Sequence, residues 1–234
     1  MNNFISLNGL KSTMIKGLLI SELPPITKPL QRTSVEEIDG RDGDIVTKLG
    51  FAAYDKKIKI GLFGDFNIDD IIKYFDSEGR VVFSNEIDKY YNYQILGQID
   101  FERLLRFKTA TVVFHVQPFK FSTVDDTVIF DGLSGDNYIT GKNNGNVISR
   151  PSITVYGSGS VVFTLNGVNI TVAIGSDQYI TLDGATLNAY KDNTLKNRSV
   201  TGNLKNLWLP TGRWRLDWSG AVTKIVIKDE SRWI

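Results

Sequence analysis

Val161-Val162-Phe163-Thr164-Leu165-Asn166-Gly167-Val168-Asn169-Ile170-Thr171-Val172 reads as two short strands folded back on one turn. Asn-Gly is the strongest two-residue hairpin signal, because both residues accept the positive φ that a tight hairpin turn requires. Val161, Phe163 and Leu165 share one face on entry, and Val168, Ile170 and Val172 share it on exit. That period-two alternation is the mark of a half-buried strand. A second alternating run places Trp214, Leu216 and Trp218 against Arg213, Arg215 and Asp217. It is expected to turn near Ser219-Gly220 into a further strand over Ala221 to Lys228. No helical period separates these runs, so the chain is read as mainly β, and this half as an antiparallel sandwich.

Outward from that core, Asn, Asp and Gly are common beyond Phe121, and Glu230 is the only glutamate there. These are residues of tight turns. The polar run Ser122-Thr123-Val124-Asp125-Asp126 follows a strongly apolar stretch and marks a boundary. Two domains are expected, 1–123 and 124–234, a division the length allows. In the first, Pro24-Pro25-Ile26-Thr27-Lys28-Pro29 must be extended and outside any central strand. Ser34 to Ile38 leads into the turn formers Asp39-Gly40-Arg41-Asp42-Gly43-Asp44, and Ile45-Val46-Thr47 leads out, which predicts a hairpin with its tip near Arg41 to Gly43. One helix is marked: Ile68, Ile71, Ile72 and Phe75 form a single stripe, Asn67 caps it, Asp69 and Asp70 suit its N-terminus and Gly79 ends it. Val81-Val82-Phe83, Tyr90 to Leu96 and Thr109 to Pro118 read as strands.

The 234 residues carry 27 basic and 26 acidic side chains, one histidine and no cysteine. A net charge of +1 gives no overall attraction to nucleic acid or an anionic membrane. Without cysteine there is no thiol nucleophile, Cys-ligated zinc or disulfide framework, and one histidine leaves a single possible Ser-His-Asp arrangement. No run of 18 apolar residues exists to cross a membrane. Met1 to Gly9 lacks the pattern of a secretory signal, so synthesis and folding in the cytoplasm are expected.

Each candidate site has a plain reading beside the chemical one. His115 shares a strand face with Thr111 and Gln117, and no motif supplies it with an orienting carboxylate, a nucleophile or a metal. Asp39, Asp42 and Asp44 miss the EF-hand spacing, since the sixth position from Asp39 is Asp44 and the twelfth is Gly50. Gly61-Leu62-Phe63-Gly64 lacks the spacing and the lysine of a P-loop. Asp125-Asp126 is read as a solvated linker rather than a glycosidase pair. No catalytic, cofactor-binding or metal-binding residue is assigned, and the chain is read as a non-enzyme without cofactor. All four tryptophans lie from Trp208 onward. Alternation assigns Trp214 and Trp218 to the core, while Trp208 and Trp233 remain candidate glycan contacts, so a carbohydrate-binding module is the alternative function. Asn169-Ile170-Thr171 and Asn197-Arg198-Ser199 match the glycosylation pattern, which means little without a secretory signal.

The order of elements resembles the distal tail protein family of long-tailed bacteriophages and prophages. The match runs through Phe4-Ile5-Ser6-Leu7-Asn8-Gly9, Glu37 to Asp44, Asp69 to Phe83, Tyr90-Tyr91, Phe101-Glu102-Arg103-Leu104 and Phe114 to Phe119. It continues in Arg150 to Gly159 and Leu209-Pro210-Thr211-Gly212-Arg213-Trp214. Ile38-Asp39-Gly40 stands where the family commonly has isoleucine-proline-glycine. The resemblance implies an N-terminal ring-forming belt domain with one α-helix and a C-terminal galectin-like or carbohydrate-module-like β-sandwich. It implies a homo-hexamer at the virion tail tip or baseplate, assembled in the bacterial host cytoplasm. The ring would join the major tail tube protein to a tail-associated fibre or lysin protein and to receptor-binding proteins, and pass DNA through its lumen without specific binding. Membrane insertion is not expected. The hairpin Asp39, Gly40, Arg41, Asp42, Gly43 and Asp44 is the candidate ring interface.

Overall fold

The computed structural model describes residues 3–234, so Met1 and Asn2, at the head of the expected first domain and signal-free N-terminus, lie outside the described residues. Strands hold 55% of the chain and helices 11%, which makes it mainly β. It divides into two compact units, one running through Thr123 and the other Val124–Trp233.

The first unit contains β1 (Ile5–Leu7), β2 (Leu10–Lys11), β3 (Leu18–Glu22), β4 (Gln31–Glu37), β5 (Asp44–Phe51), β6 (Tyr54–Leu62), α1 (Ile68–Phe75), β7 (Gly79–Phe83), β8 (Lys89–Gln94), α2 (Phe101–Phe107) and β9 (Thr109–Ser122). Its sheet runs β2-β1-β7-β8-β9-β6-β3, while β4 and β5 stand apart as a two-stranded sheet. The alternation of β6 and β9 sends Ile58, Ile60, Val112, Phe114 and Val116 inward, where all are buried. Phe83 meets Tyr91 and Phe114 edge-on, with ring centroids 5.8 and 5.7 Å apart, an arrangement aromatic rings favour.

Asn67 caps α1 as expected, accepting a 3.0 Å hydrogen bond from the Asp69 amide. Ile71, Tyr74 and Phe75 are its buried residues, whereas Ile72 is exposed. The buried stripe is rotated from the expected one because Tyr74 turns inward, its hydroxyl 3.1 Å from the Leu10 carbonyl. The helix ends at Phe75, and Gly79 begins β7 instead of capping α1.

A second helix, α2, joins the one the sequence marks. It is capped by Asp100, whose side chain accepts from the Arg103 amide at 2.7 Å. Only Leu104 is buried among its seven residues, so it shows no amphipathic stripe to the eye.

The second unit contains β10 (Thr127–Asp131), β11 (Asn137–Asn143), β12 (Ser152–Leu165), β13 (Val168–Gly175), β14 (Tyr179–Asp183), β15 (Asn188–Lys191), β16 (Thr194–Leu195), β17 (Val200–Thr201) and β18 (Gly212–Lys228). The Asn166-Gly167 turn has φ of 54° and 77°, both positive as the hairpin demands. Phe163 faces Ile170 and Val161 faces Val172 across it. All four are buried, while Val168, next to the turn, is exposed.

The expected hairpin at Ser219-Gly220 is absent. β18 runs on through it as one 17-residue strand. Gly220 takes a positive φ of 109°, and β12 stays paired with β18 on both sides of it, so the strand bends there instead of reversing. β12 bends alongside, and its register with β18 shifts after Tyr156 and again between Ser158 and Val162. Each long strand therefore serves both halves of the sheet. Its first half pairs β18 with β11, and its second half with β10. Sandwich corners are made by such bends. Trp214 and Trp218 lie in the core with Phe163, Leu165 and Leu216.

Candidate functional site: an unburied arm and its anchorage

β4 and β5 form an arm in which no residue is buried. Val35 pairs with Val46, Thr33 with Lys48 and Glu37 with Asp44. Those three pairs share one face by strand alternation. Val35 and Val46 stay 53% and 56% exposed, and Ile38 at the end of the arm is 48% exposed. An isolated two-stranded ribbon is marginal in water, and like charges placed opposite one another weaken it further. Asp39, Gly40, Arg41, Asp42, Gly43 and Asp44 make its exposed tip, with the Arg41 amide donating to the Ile38 carbonyl at 3.1 Å.

The Pro24 to Pro29 strap leading into the arm has no strand partner. Side chains hold it instead. Asn85 Nδ2 donates to the Pro24 carbonyl at 2.9 Å, and Lys56 Nζ to the Pro25 carbonyl at 2.9 Å. Tyr54 adds a hydroxyl 3.5 Å from the Thr27 carbonyl.

Lys56 is itself 3% exposed. Its ammonium lies 4.9 Å from the ring centre of Tyr91, 5.6 Å from Tyr54 and 5.8 Å from Phe83, a desolvated cation–π cage. Beside it, Glu86 accepts from Lys120 Nζ at 2.8 Å and from the Tyr91 hydroxyl at 2.6 Å. Burial lowers the Lys56 pKa to about 8, with the Glu86 charge opposing and the Lys120 charge adding to the effect. Burial pushes the Glu86 carboxyl up. The hydrogen bonds from Lys120 and Tyr91 and the charges of Lys120 and Lys56 together hold it below the ordinary range. Burial, then the bond to Glu86, raises the Tyr91 phenol. The sequence reading passed over this cluster. A signal existed: Lys56 is in phase with Ile58 and Ile60, and Lys120 with Phe114 and Val116, on the inward faces of their strands.

The other candidates disperse. His115 Nδ1 lies 2.9 Å from Asp55 Oδ1 across β6 and β9, which supplies an orienting carboxylate. Among the described residues, no group of three His, Cys, Asp or Glu is placed to hold a metal ion. No helix there is long and apolar enough to cross a membrane. Asp125 and Asp126 are not a plainly solvated pair: Asp125 accepts from the Thr127 amide at 3.0 Å, and Asp126 from the Ser231 amide at 3.0 Å.

Trp208 is half-buried and its Nε1 donates to the Gly184 carbonyl at 2.7 Å. The Arg150 guanidinium sits over its ring at 4.7 Å and Lys205 Nζ at 5.8 Å, where a sugar would have to stack. Trp233 is half-buried in the short Arg232–Trp233 strand. The structure offers a different surface in this unit, an open groove of about 770 Å³ lined by Thr140, Lys142, Asn166, Arg213, Arg215 and Asp217. Arg215 Nη2 holds Asp217 at 2.6 Å, and its guanidinium lies 3.8 Å from the ring centre of Tyr138.

No protein-family model matches the chain, and no curated protein matches it. Among solved structures, it is similar to the crystal structure of the SPP1 Dit (gp 19.1) protein, described as a paradigm of hub adsorption apparatus in phages infecting Gram-positive hosts. That likeness has a TM-score of 0.64 at 16% identity and spans 97% of this chain and 99% of the other. The phage p2 baseplate, in its activated conformation with Sr, aligns over 96% of this chain and 97% of its own, at 11% identity and a TM-score of 0.46. The likeness to the SPP1 protein is one of fold.

Proposed function

We propose that this chain is a structural hub of a phage tail tip. Six copies close a ring between the major tail tube protein and a tail-associated fibre or lysin protein, carry receptor-binding proteins and leave a channel for DNA. It works at the virion tail tip, is assembled in the bacterial host cytoplasm, and performs no catalysis. The observation that carries this reading is the fold shared with a hub adsorption protein over 97% of the chain. The bare β4–β5 arm supports it, because a cyclic ring needs one patch to meet a different patch on the neighbour. A lumen that passes DNA must lack clustered phosphate contacts, and the balanced charge agrees.

Particle mass measured across a concentration series tests this. The expected result is a six-copy species that is lost when residues 32–50 are replaced by a short Gly-Ser turn. Thermal unfolding of that variant stays cooperative, since the arm contributes no buried residue. A chain that remains monomeric throughout and binds neither tail-tube nor tail-associated protein overturns the proposal.

A second reading, recognition of host cell-wall glycan, rests on the groove around Arg215. Clustered charged and amide groups on a sheet face suit the hydroxyls of a polyhydroxylated ligand. Cell-wall polysaccharide is then expected to bind the full chain, with Arg215→Ala weakening it about tenfold and Trp208→Ala leaving it nearly unchanged. The absence of binding in a glycan screen sinks this reading.

A further inference from the structure

We propose that the exposed face of α2 is the surface on which the arm of a neighbouring copy docks. This rests on the ring reading and names both sides of its contact. α2 leaves Leu105 41% and Phe107 62% exposed, beside Arg103, Arg106 and Lys108. Arg103 and Arg106 lie over the Phe107 ring, 5.9 and 5.4 Å from its centre, and Lys108 over Phe66 at 4.8 Å. Cations held against aromatic rings form a flat surface that is both apolar and basic.

The arm is its complement in both respects. Val35, Val46 and Ile38 are exposed apolar groups. Residues 36–44 hold Glu36, Glu37, Asp39, Asp42 and Asp44 against Arg41 alone, a net charge of −4. Residues 101–108 hold Arg103, Arg106 and Lys108 against Glu102, a net charge of +2. Among the described residues, none of these charged groups is in an ion pair within the chain. Two surfaces of opposite sign, each with exposed apolar residues and each unpaired at home, are what a heterologous contact between copies requires.

Charge reversal tests this with two full-length variants, E37K/D42K/D44K at the arm and R103E/R106E on α2. Each alone is expected to fold, by circular dichroism and thermal melting, and to need at least tenfold more protein to assemble than the wild type. Mixed one to one, they are expected to regain assembly. A basic arm then meets an acidic helix at one contact and an acidic arm a basic helix at the next, so an even-numbered ring closes with alternating subunits. Rescue in the mixture also excludes misfolding as the cause of the single failures. If the R103E/R106E variant assembles like the wild type, or the folded pair fails to assemble when mixed, the α2 docking is overturned and the hub reading stands. A wild-type chain that never assembles and binds no tail partner overturns both.

Discussion

Glu86→Gln destabilises the first unit by about 3–5 kcal/mol in urea unfolding, the range for breaking a buried ion pair by neutralising one partner. Glutamine keeps the shape and one acceptor oxygen. It removes the negative charge that Lys120, 6% exposed, and Lys56, 3% exposed, both face. Two buried ammoniums then lie near each other without a counter-charge. Glu86→Gln combined with Lys120→Met recovers part of the loss, because the unpaired cation is removed with its partner. A loss below about 1 kcal/mol, the level of an exposed pair, refutes the assignment.

The same cluster sets a pH dependence of definite sign. Lys56 titrates at about 8 in the fold against an ordinary 10.5, so the unfolded chain binds more protons between those values. Stability from this group therefore rises with pH through that window. Tyr91 is raised, so its contribution is full below the ordinary tyrosine value of 10.0 and is lost as pH climbs above it. Glu86 is depressed, so its contribution is present above the ordinary carboxylate range and is lost as pH falls through its folded value. Unfolding free energy is thus expected to climb between pH 8 and pH 10 and then turn down. Lys56→Met flattens the climb.

Gly157→Val is expected to lower the stability of the second unit by about 3 kcal/mol or more, the upper range for overpacking at a site that cannot relax. A Cβ at Gly157 would sit 2.1 Å from the Ala221 carbonyl oxygen and 3.1 Å from its carbon. Both are backbone atoms of the partner strand, so no side chain can swing aside. Gly159→Ala is the control. It has open space around it and a φ of 70°, so it carries only the left-handed strain of about 1–2 kcal/mol. Equal losses at the two positions refute the close approach of β12 and β18 as the cause.

What the sequence made legible were features written in a local period. The Asn166-Gly167 turn, the N-terminal cap of α1, and the inward Trp214 and Trp218 each follow from neighbours within a few residues. The bend of β18 does not. Ser219-Gly220 has the composition of a turn, and only the pairing with β12 decides between reversing and bending. α2 escaped notice because a seven-residue helix burying one leucine carries no stripe. Lys56 was legible by phase, yet a lysine read alone looks like surface. Trp208 was open because residue type alone does not tell a stacking platform from a ring already beneath Arg150. The arm was readable as a hairpin, but that none of the described residues buries it is a fact of tertiary structure.

The Glu37–Asp44 pair has a consequence for chains that have not yet assembled. Bare ribbon edges invite edge-to-edge zipping between identical arms, the route to fibres. Like charges across the end of every arm repel their equivalents on any other arm that approaches in that way. On the docking proposed above, the acids that weaken the hairpin in isolation keep free subunits dispersed and reserve the ribbon for a cationic surface, so that high salt is expected to blunt both the guard and the docking together.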